Sequence, residues 1–442
     1  MKKTDIDLKD LFGRGVNDFI DPEGKFAEKV KNKIAGKYNK PIVIKFGVDP
    51  TRPDIHLGHA VVFRKLRKFQ DLGCKVIFLI GDITAHIGDP SGRSTVRPEL
   101  EQKEIEANMK TYLEQVGKIL LTEPEVFSWI RNSDWFVSIN DIISPKSNDI
   151  LDKTNHWIQT RMQKGNINSH SLMNLLWTLR HITHSRLIER DMFQERLKRG
   201  EELYMHEMMY PVLQGIDSYI LAKIYGSCDM EIGGSDQTFN MLMGRDIMKF
   251  NNTEQQAVMA LKILEGTDGK EKMSKSLGNF IAITENLNEM FGKTMSIVDS
   301  SIPNYFELCT YTPILEIEKI KKELAGGKTN PRDLKIRLAK EIVVIYHGED
   351  AAKKAEENFI KVFQKKEIPD EMPELRAEKG EPLSEFLVAN KILKSKSEFG
   401  RLIEEKAVHD LDTGEVIGDL HFKIQKEVKL KIGKKRFLKI IV

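Results

Sequence analysis

Cysteine is scarce in this sequence: Cys74, Cys228 and Cys309 are the three in 442 residues, and they lie far apart. That spacing excludes a disulfide framework, offers no paired zinc-ligand motif, and suits a reducing compartment. Long apolar runs are missing too, none approaching the ~20 residues of a membrane helix. The amino terminus (Met1-Lys-Lys-Thr-Asp-Ile-Asp) alternates charge and lacks the apolar stretch of a secretory signal. A cytoplasmic protein without membrane association is expected. No charge sign dominates: 69 Lys+Arg stand against 66 Asp+Glu, a formal net charge of +3, so a nucleic-acid partner has to be read from local clusters. Internal repeats, low-complexity tracts, a Walker A loop and a G-x-G-x-x-G fingerprint are all absent. What remains, 40 % apolar and 31 % charged, is ordinary globular composition at a length suited to two or three domains.

Ile42–Phe46 is a short apolar run, interrupted by Lys45 and closed by Gly47, and reads as a buried strand. From His56 to Asp71 the apolar residues Val61, Val62, Leu66 and Phe69 recur at helical spacing, and Lys75–Ile80 is a second buried strand. Strand, crossover helix and strand make a βαβ unit, which predicts an α/β fold with a parallel sheet. Helices are expected at Glu99–Leu121, at Leu203–Tyr225 and from about Gln237, and strands at Met230–Ile232 and Ala257–Leu264. Tyr210, Gln214 and Asp217 fall at i, i+4 and i+7, on one helix face. The pattern is helical and charged from Glu285 to about Phe363. Lys365–Pro382, with three prolines among alternating charges, reads as a linker, and 383–442 as a small α-then-β domain.

Two segments carry chemistry. Asp49-Pro-Thr-Arg-Pro-Asp-Ile-His56-Leu-Gly58-His59 lies between a predicted strand and a predicted helix. A helix start presents unpaired N–H groups to phosphate oxygens. Gly58 lets a base or ribose approach the backbone, and His56 and His59 can donate hydrogen bonds to phosphate or ribose. The alternative is a pair of capping or core histidines. Lys272-Met-Ser-Lys275-Ser276 follows Thr267-Asp-Gly-Lys-Glu. Two lysines three apart on a Gly-bounded loop can fold over a triphosphate and neutralise the charge that develops as pyrophosphate leaves. The alternative is a solvated basic turn.

Together these segments resemble the HIGH and KMSKS signatures of class I aminoacyl-tRNA synthetases. Four further stretches narrow the resemblance to the tyrosyl-tRNA synthetases, in the bacterial subgroup that carries a small C-terminal RNA-binding domain. They are Lys45–His59, Ile87-Gly-Asp89-Pro-Ser-Gly-Arg93, Tyr210-Pro-Val-Leu-Gln214-Gly-Ile-Asp217 and Gly233-Gly-Ser-Asp236-Gln237. The resemblance implies a Rossmann-like catalytic domain over 1–282 with an inserted connective region at about 135–215, then a helical domain over 283–364. It also implies roles. Asp217 would accept the tyrosine phenol. Tyr210, Gln214 and Asp89 would hold the α-ammonium, and Gln237 would lie near the carboxylate. Gly47, Asp49, Thr51, His56, Gly58, His59 and Asp236 would contact ATP or its ribose. Lys272 and Lys275 would meet the leaving pyrophosphate, with Arg93 and Arg97 near the phosphates. Mg²⁺ would arrive with ATP, held largely by its phosphates. The partners implied are L-tyrosine, ATP and tRNA(Tyr), acting on a homodimer.

Lys45 stands where the other bacterial subgroup has a tyrosine that contacts the phenol, and nearby acids are candidate partners for it. Phe46 likewise replaces a polar position. The segment from about 143 to 172 is longer than the family leads one to expect and reads by default as a surface excursion. Ser395-Lys396-Ser-Glu398-Phe-Gly-Arg401 resembles a small RNA-binding fold, although Phe399-Gly400 and Glu405-Lys406 depart from its usual Ala-Arg and Gly-Gly. Lysines alternate with Val428, Leu430 and Ile432 near the end of the chain. Lys396, Arg401, Lys434, Lys435 and Arg436 are the candidate phosphate contacts there. A solvated, lysine-guarded edge strand is the competing reading. His181 and His184, three apart on a predicted helix with no further ligand, read as structural. Two rival functions are a tryptophanyl-tRNA synthetase or small adenylyltransferase, and a non-catalytic RNA-binding relative.

Overall fold

The structure is a computed structural model, and it describes residues 7–53, 55–90, 101–136, 172–275, 277–361, 372–390, 392–433 and 436–442. The candidates Arg93, Arg97, Lys434 and Lys435, with Ser276 and nearly all of the 143–172 segment, lie outside the described residues. The chain divides into two compact units, Met1–Gly348 and Glu349–Val442.

The first unit is built on six strands: β1 (Val16–Ile20), β2 (Val43–Val48), β3 (Lys75–Ile80), β4 (Phe127–Arg131), β5 (Met230–Gly234) and β6 (Ala257–Leu261), in the order β1-β6-β5-β2-β3-β4. β6, β5, β2, β3 and β4 are parallel, as the βαβ reading predicts. The sheet is mixed, because β1 pairs antiparallel with β6 at one edge. β1 is short and half exposed, so it lacks the buried apolar run that marks the inner strands. β2 and β3 lead to one side of the sheet, and β5 and β6 lie on the other. β2 is therefore where the winding reverses, and in open α/β sheets ligands bind in the crevice at the carboxyl ends of the strands at that point.

Helix Leu57–Asp71 links β2 to β3 as expected, and the face carrying Val61, Val62, Leu66 and Phe69 is buried. The helix read at Glu99–Leu121 is shorter, Gln102–Val116. Helix Met205–Tyr225 is buried along most of its length and brings Tyr210, Gln214 and Asp217 against the sheet. A 3₁₀ turn, Ser235–Gln237, joins β5 to helix Thr238–Phe250. The helical segment read from 283 belongs to this same unit up to Gly348. No helix among the described residues is long and apolar enough to cross a membrane.

The second unit holds strands β7 (Glu374–Arg376), β8 (Val408–Asp410), β9 (Val428–Ile432) and β10 (Arg436–Ile441) in the order β7-β10-β9-β8, with helices Leu383–Ala389 and Lys396–Glu404. The stretch read as a linker to Pro382 thus includes a strand, since Glu374–Arg376 pairs in parallel with β10. In β9 the lysines alternate with buried Val428, Leu430 and Ile432, as the sequence pattern predicts. Phe399 is core, packed with Leu383, Phe386 and Leu430. Lys406, where glycine is usual, takes a positive φ of 52°.

Candidate active site

Several of the sequence-predicted site residues of the first unit lie at the carboxyl edge of the sheet. Asp49 follows β2, Gly81 follows β3, Asn132 follows β4, and Gly233-Gly234 end β5. Asp49 is gripped from two sides: Thr84 Oγ1 donates to its Oδ1 at 2.8 Å, and Tyr210 Oη to its Oδ2 at 2.7 Å. A Cβ on Gly81 would overlap both Thr84 Oγ1 and Asp49 Oδ1, which explains a glycine at the end of β3. The Thr51 N–H closes the turn on the Asp49 carbonyl at 2.8 Å. Gly47 is exposed at the mouth, and a Cβ there would meet only Leu79, at 3.8 Å.

The histidine loop is physically joined to the segment that follows the lysine loop. His56 and Ala282 form an antiparallel bridge, with Leu57 N–H donating to Ile281 O and Ile283 N–H to Ile55 O, both at 3.0 Å. A Cβ on Gly58 would stand 3.0 Å from the His56 ring and 3.8 Å from the buried Met273, so the small residue permits this packing. The His56 and His59 rings lie 3.9 Å apart. Burial, the nearby imidazole and the Lys275 and Lys272 charges push the pKa of His56 well below its ordinary value. Burial and the same lysines bring His59 down to about 3. Both imidazoles are therefore neutral. His59 Nδ1 accepts from the His56 N–H at 3.4 Å, which places the ring proton on Nε2, where it can be donated to a ligand. His56 Nδ1 is buried without a hydrogen-bond partner. Lys272 pairs with Asp236 at 2.5 Å, and its side chain is 56 % exposed.

Beneath the crevice lies a polar floor. Lys45 is completely buried and pairs with Glu231 at 2.8 Å, so its partner is indeed an acid. Its remaining N–H groups go to the Gln214 carbonyl and Ser218 Oγ, both at 2.8 Å. Asp217 is also buried and accepts from Trp135 Nε1 at 3.0 Å. Burial pushes its pKa up to about 8, while the Lys45 charge and hydrogen bonds from Trp135 and Asn132 oppose that rise. Gln237 Nε2 donates to Asp89 Oδ2 at 2.5 Å, and Arg190 pairs with Asp89 at 3.5 Å. Phe46 packs against Phe63 and Phe78 and takes no polar role.

Sequence reading missed Glu231, Asn132, Trp135, Arg190 and Asn240. Asn240 had a signal, since it falls three residues after Gln237 on a predicted helix. Asn132 and Trp135 follow a strand that was not read. In the second unit Arg436 pairs with Glu398, Lys396 with Glu385, Lys429 with Asp412, and Lys439 with Glu374 and Glu427. The basic strands therefore face more acids than Glu427, the one acid their own segment supplies; Arg401 is exposed. His181 stacks on Phe250 and contacts the Trp177 carbonyl.

The crevice at the sheet's winding reversal is thus flanked by two neutral histidines at a helix start and by a lysine loop whose following segment is bridged to them. The chain belongs to the tRNA synthetases of class I, tryptophan and tyrosine group (W and Y), whose defining pattern matches residues 37–364. Within that group it is 41 % identical to a tyrosine–tRNA ligase of Carboxydothermus hydrogenoformans, over 98 % of this chain and 97 % of the relative. It is also 41 % identical to one of Thermotoga maritima, over 97 % and 96 %. Among solved structures, the fold resembles a C-terminally truncated mitochondrial tyrosyl-tRNA synthetase of Aspergillus nidulans (TM-score 0.56, 22 % identity, 80 % of this chain and 93 % of that one). It also resembles the L-tyrosine complex of the Archaeoglobus fulgidus enzyme (TM-score 0.55, 19 % identity, 79 % and 98 %).

Proposed function

We propose that the chain activates L-tyrosine with ATP, forming tyrosyl-adenylate and pyrophosphate, and then transfers tyrosine to the 3′-terminal adenosine of tRNA(Tyr). The observation that carries this reading is the arrangement of the crevice: a buried carboxyl, Asp217, and the Asp89–Gln237 pair at its floor, the Asp49–Tyr210 pair at its wall, and at its mouth the histidine loop bridged to the segment that follows the lysine loop.

No nucleophilic side chain is needed. The tyrosine carboxylate is ionised at neutral pH and attacks the α-phosphorus, forming a P–O bond as the bond to pyrophosphate breaks. Asp217 takes the phenol hydroxyl as donor. Tyr210, Gln214 and Asp89 take the α-ammonium, and a Gln237 N–H faces the carboxylate. His56 and His59, being neutral, donate to phosphate without adding charge. Gly47, Asp49, Thr51, Gly58 and Asp236 accommodate adenosine and ribose. Lys272 and Lys275, with Arg93 and Arg97, meet the negative charge that grows on the leaving group. In the second step a ribose hydroxyl of the tRNA terminus attacks the tyrosyl carbonyl and AMP leaves.

Mg²⁺ would enter on the ATP phosphates and help neutralise them. A hard cation of this kind keeps substrate phosphates and water as its main ligands. The reading extends to a cytoplasmic homodimer, for which exposed Leu176, Trp177 and Met205 offer contact surface. It also extends to tRNA contacts by Lys396, Arg401, Lys434, Lys435 and Arg436.

The test is ATP–pyrophosphate exchange with each standard amino acid in turn. Exchange with tyrosine alone is expected. Exchange driven by tryptophan instead, or none from folded protein, overturns the proposal.

A further inference from the structure

Three side-chain amides run between two carboxylates at the floor of the crevice. Gln214 Nε2 donates to Glu231 Oε1 at 3.0 Å, and Gln237 Nε2 donates to Asp89 Oδ2 at 2.5 Å. Both glutamine oxygens accept from one group, Asn240 Nδ2, each at 3.0 Å. Asn240 is wholly buried, and its Oδ1 has no hydrogen-bond partner. Its side chain is therefore held by the two bonds it donates.

The direction of this chain follows from chemistry. An ionised carboxylate only accepts, so each end demands the NH₂ of its glutamine and turns the glutamine oxygen inward. Two inward oxygens are then satisfied by one NH₂ with two N–H bonds. Any other orientation of the amides sets oxygen against oxygen or NH₂ against NH₂. The Glu231 end is fixed further by Lys45, Ser218 and Gln256, all donating to that carboxylate, and the Asp89 end by Arg190.

We infer that Asn240 is a positioning residue for the amino-acid substrate: by donating to both Gln214 and Gln237 it locks the two amides in the orientation that turns NH₂ toward Glu231 and Asp89. This rests on the tyrosine-activating reading of the same site. In the locked state Gln237 offers N–H to a substrate carboxylate while Asp89 remains an acceptor for the ammonium. A flipped Gln237 would set its oxygen against Asp89 and against the incoming carboxylate. The substrate's two charged groups are thus sorted by a residue that touches neither.

The test compares Asn240→Asp with Asn240→Ala in the full-length protein by ATP–pyrophosphate exchange. Aspartate keeps size and shape but replaces the double donor with an acceptor; alanine leaves a gap. A residue that merely fills space tolerates Asp better than Ala, whereas a residue that sets amide polarity tolerates Asp worse. The expected KM for tyrosine rises about 30-fold or more in Asn240→Asp and about fivefold in Asn240→Ala, with KM for ATP within about twofold in both. An Asn240→Asp variant no worse than Asn240→Ala, or one whose two KM values rise together, overturns the inference. Should circular dichroism show Asn240→Asp unfolded, Asn240→Ala decides alone: a rise confined to tyrosine supports the role, and an unchanged tyrosine KM overturns it. The parent protein is assayed first. Lack of tyrosine-dependent exchange there marks failure of the functional reading, whereas an active parent with an indifferent Asn240→Asp marks failure of this one.

Discussion

Lys45→Met isolates the energetics of the site's floor. The Lys45 ammonium and the Glu231 carboxylate meet at 2.8 Å with exposures of 0 % and 1 %, and the ammonium spends its other N–H bonds on Gln214 O and Ser218 Oγ. Methionine fills similar volume, so packing loss is small. What remains is an anionic Glu231 in a closed interior. Breaking a buried pair by removing one partner costs about 3–5 kcal/mol. Glu231 keeps donors from Gln214, Ser218 and Gln256, so the lower end, about 3 kcal/mol, applies. Lys45→Met combined with Glu231→Gln removes both charges of the pair, and its loss falls to about 1 kcal/mol or less. The single losses are therefore non-additive, by about 2 kcal/mol or more. Urea unfolding followed by tryptophan fluorescence measures this. Trp129, Trp135, Trp157 and Trp177 all fall within Met1–Gly348, so the signal reports that unit alone. A Lys45→Met loss under about 1 kcal/mol, or a double variant equal to the sum of the singles, would refute the reasoning.

Lys275→Ala slows adenylate formation by about 100-fold, on the order of 3 kcal/mol, with tyrosine affinity little changed; single-turnover quench-flow reads this, and a full activation rate removes the loop from the chemistry. Asp217→Ala weakens tyrosine binding and narrows its preference over phenylalanine, because phenylalanine leaves the buried acceptor unpaired at a cost of about 1–3 kcal/mol. Parallel kcat/KM values for the two amino acids check it, and an unchanged ratio removes that role. Since burial lifts Asp217 to about 8, with Lys45 opposing, its acceptor form grows as pH rises through that value. The tyrosine kcat/KM accordingly climbs there, and Lys45→Met moves the rise to higher pH; an unmoved rise counts against that coupling. His59 is held down to about 3 by burial, then by Lys275 and Lys272. The unfolded imidazole gains a proton below about 6.5 and the folded one does not, so stability is lost as pH falls from about 6.5 toward 3. His59→Gln should show a shallower fall of Tm between about pH 7 and pH 5 than the parent; matching slopes refute the assignment.

Much of the fold was legible where burial leaves a simple pattern. Lys75–Ile80 is buried on both faces, reads as a continuous apolar run, and forms β3 over those same residues. Val16–Ile20 is an edge strand with half-exposed residues, and its pairing with β6 is fixed by tertiary contact that no local period encodes. The positions of the histidine and lysine loops were legible because that spacing is local. Beneath them, Lys45 and Glu231 meet across β2 and β5, so the partner of a conspicuous buried lysine became visible only once the strands were aligned. Asn240 illustrates a different limit: its position was readable, but the role inferred for it depends on which way two other amides point.

The bridge between His56 and Ala282 bears on how the protein is made. The segments it fastens, at His56 and Ala282, lie far apart in sequence, so a chain emerging from the ribosome delivers its histidines well before the segment that pins them. Until Ile281–Ile283 appears, the start of helix Leu57–Asp71 lacks its backbone partners, and closing so long an excursion carries an entropic cost. Nascent chains that stop between Leu261 and Ile281 contain all six strands of the first sheet but lack the segment that pins the helix start. A prematurely terminated chain would then be catalytically silent rather than weakly active, unable to consume ATP on behalf of a tRNA it could not charge.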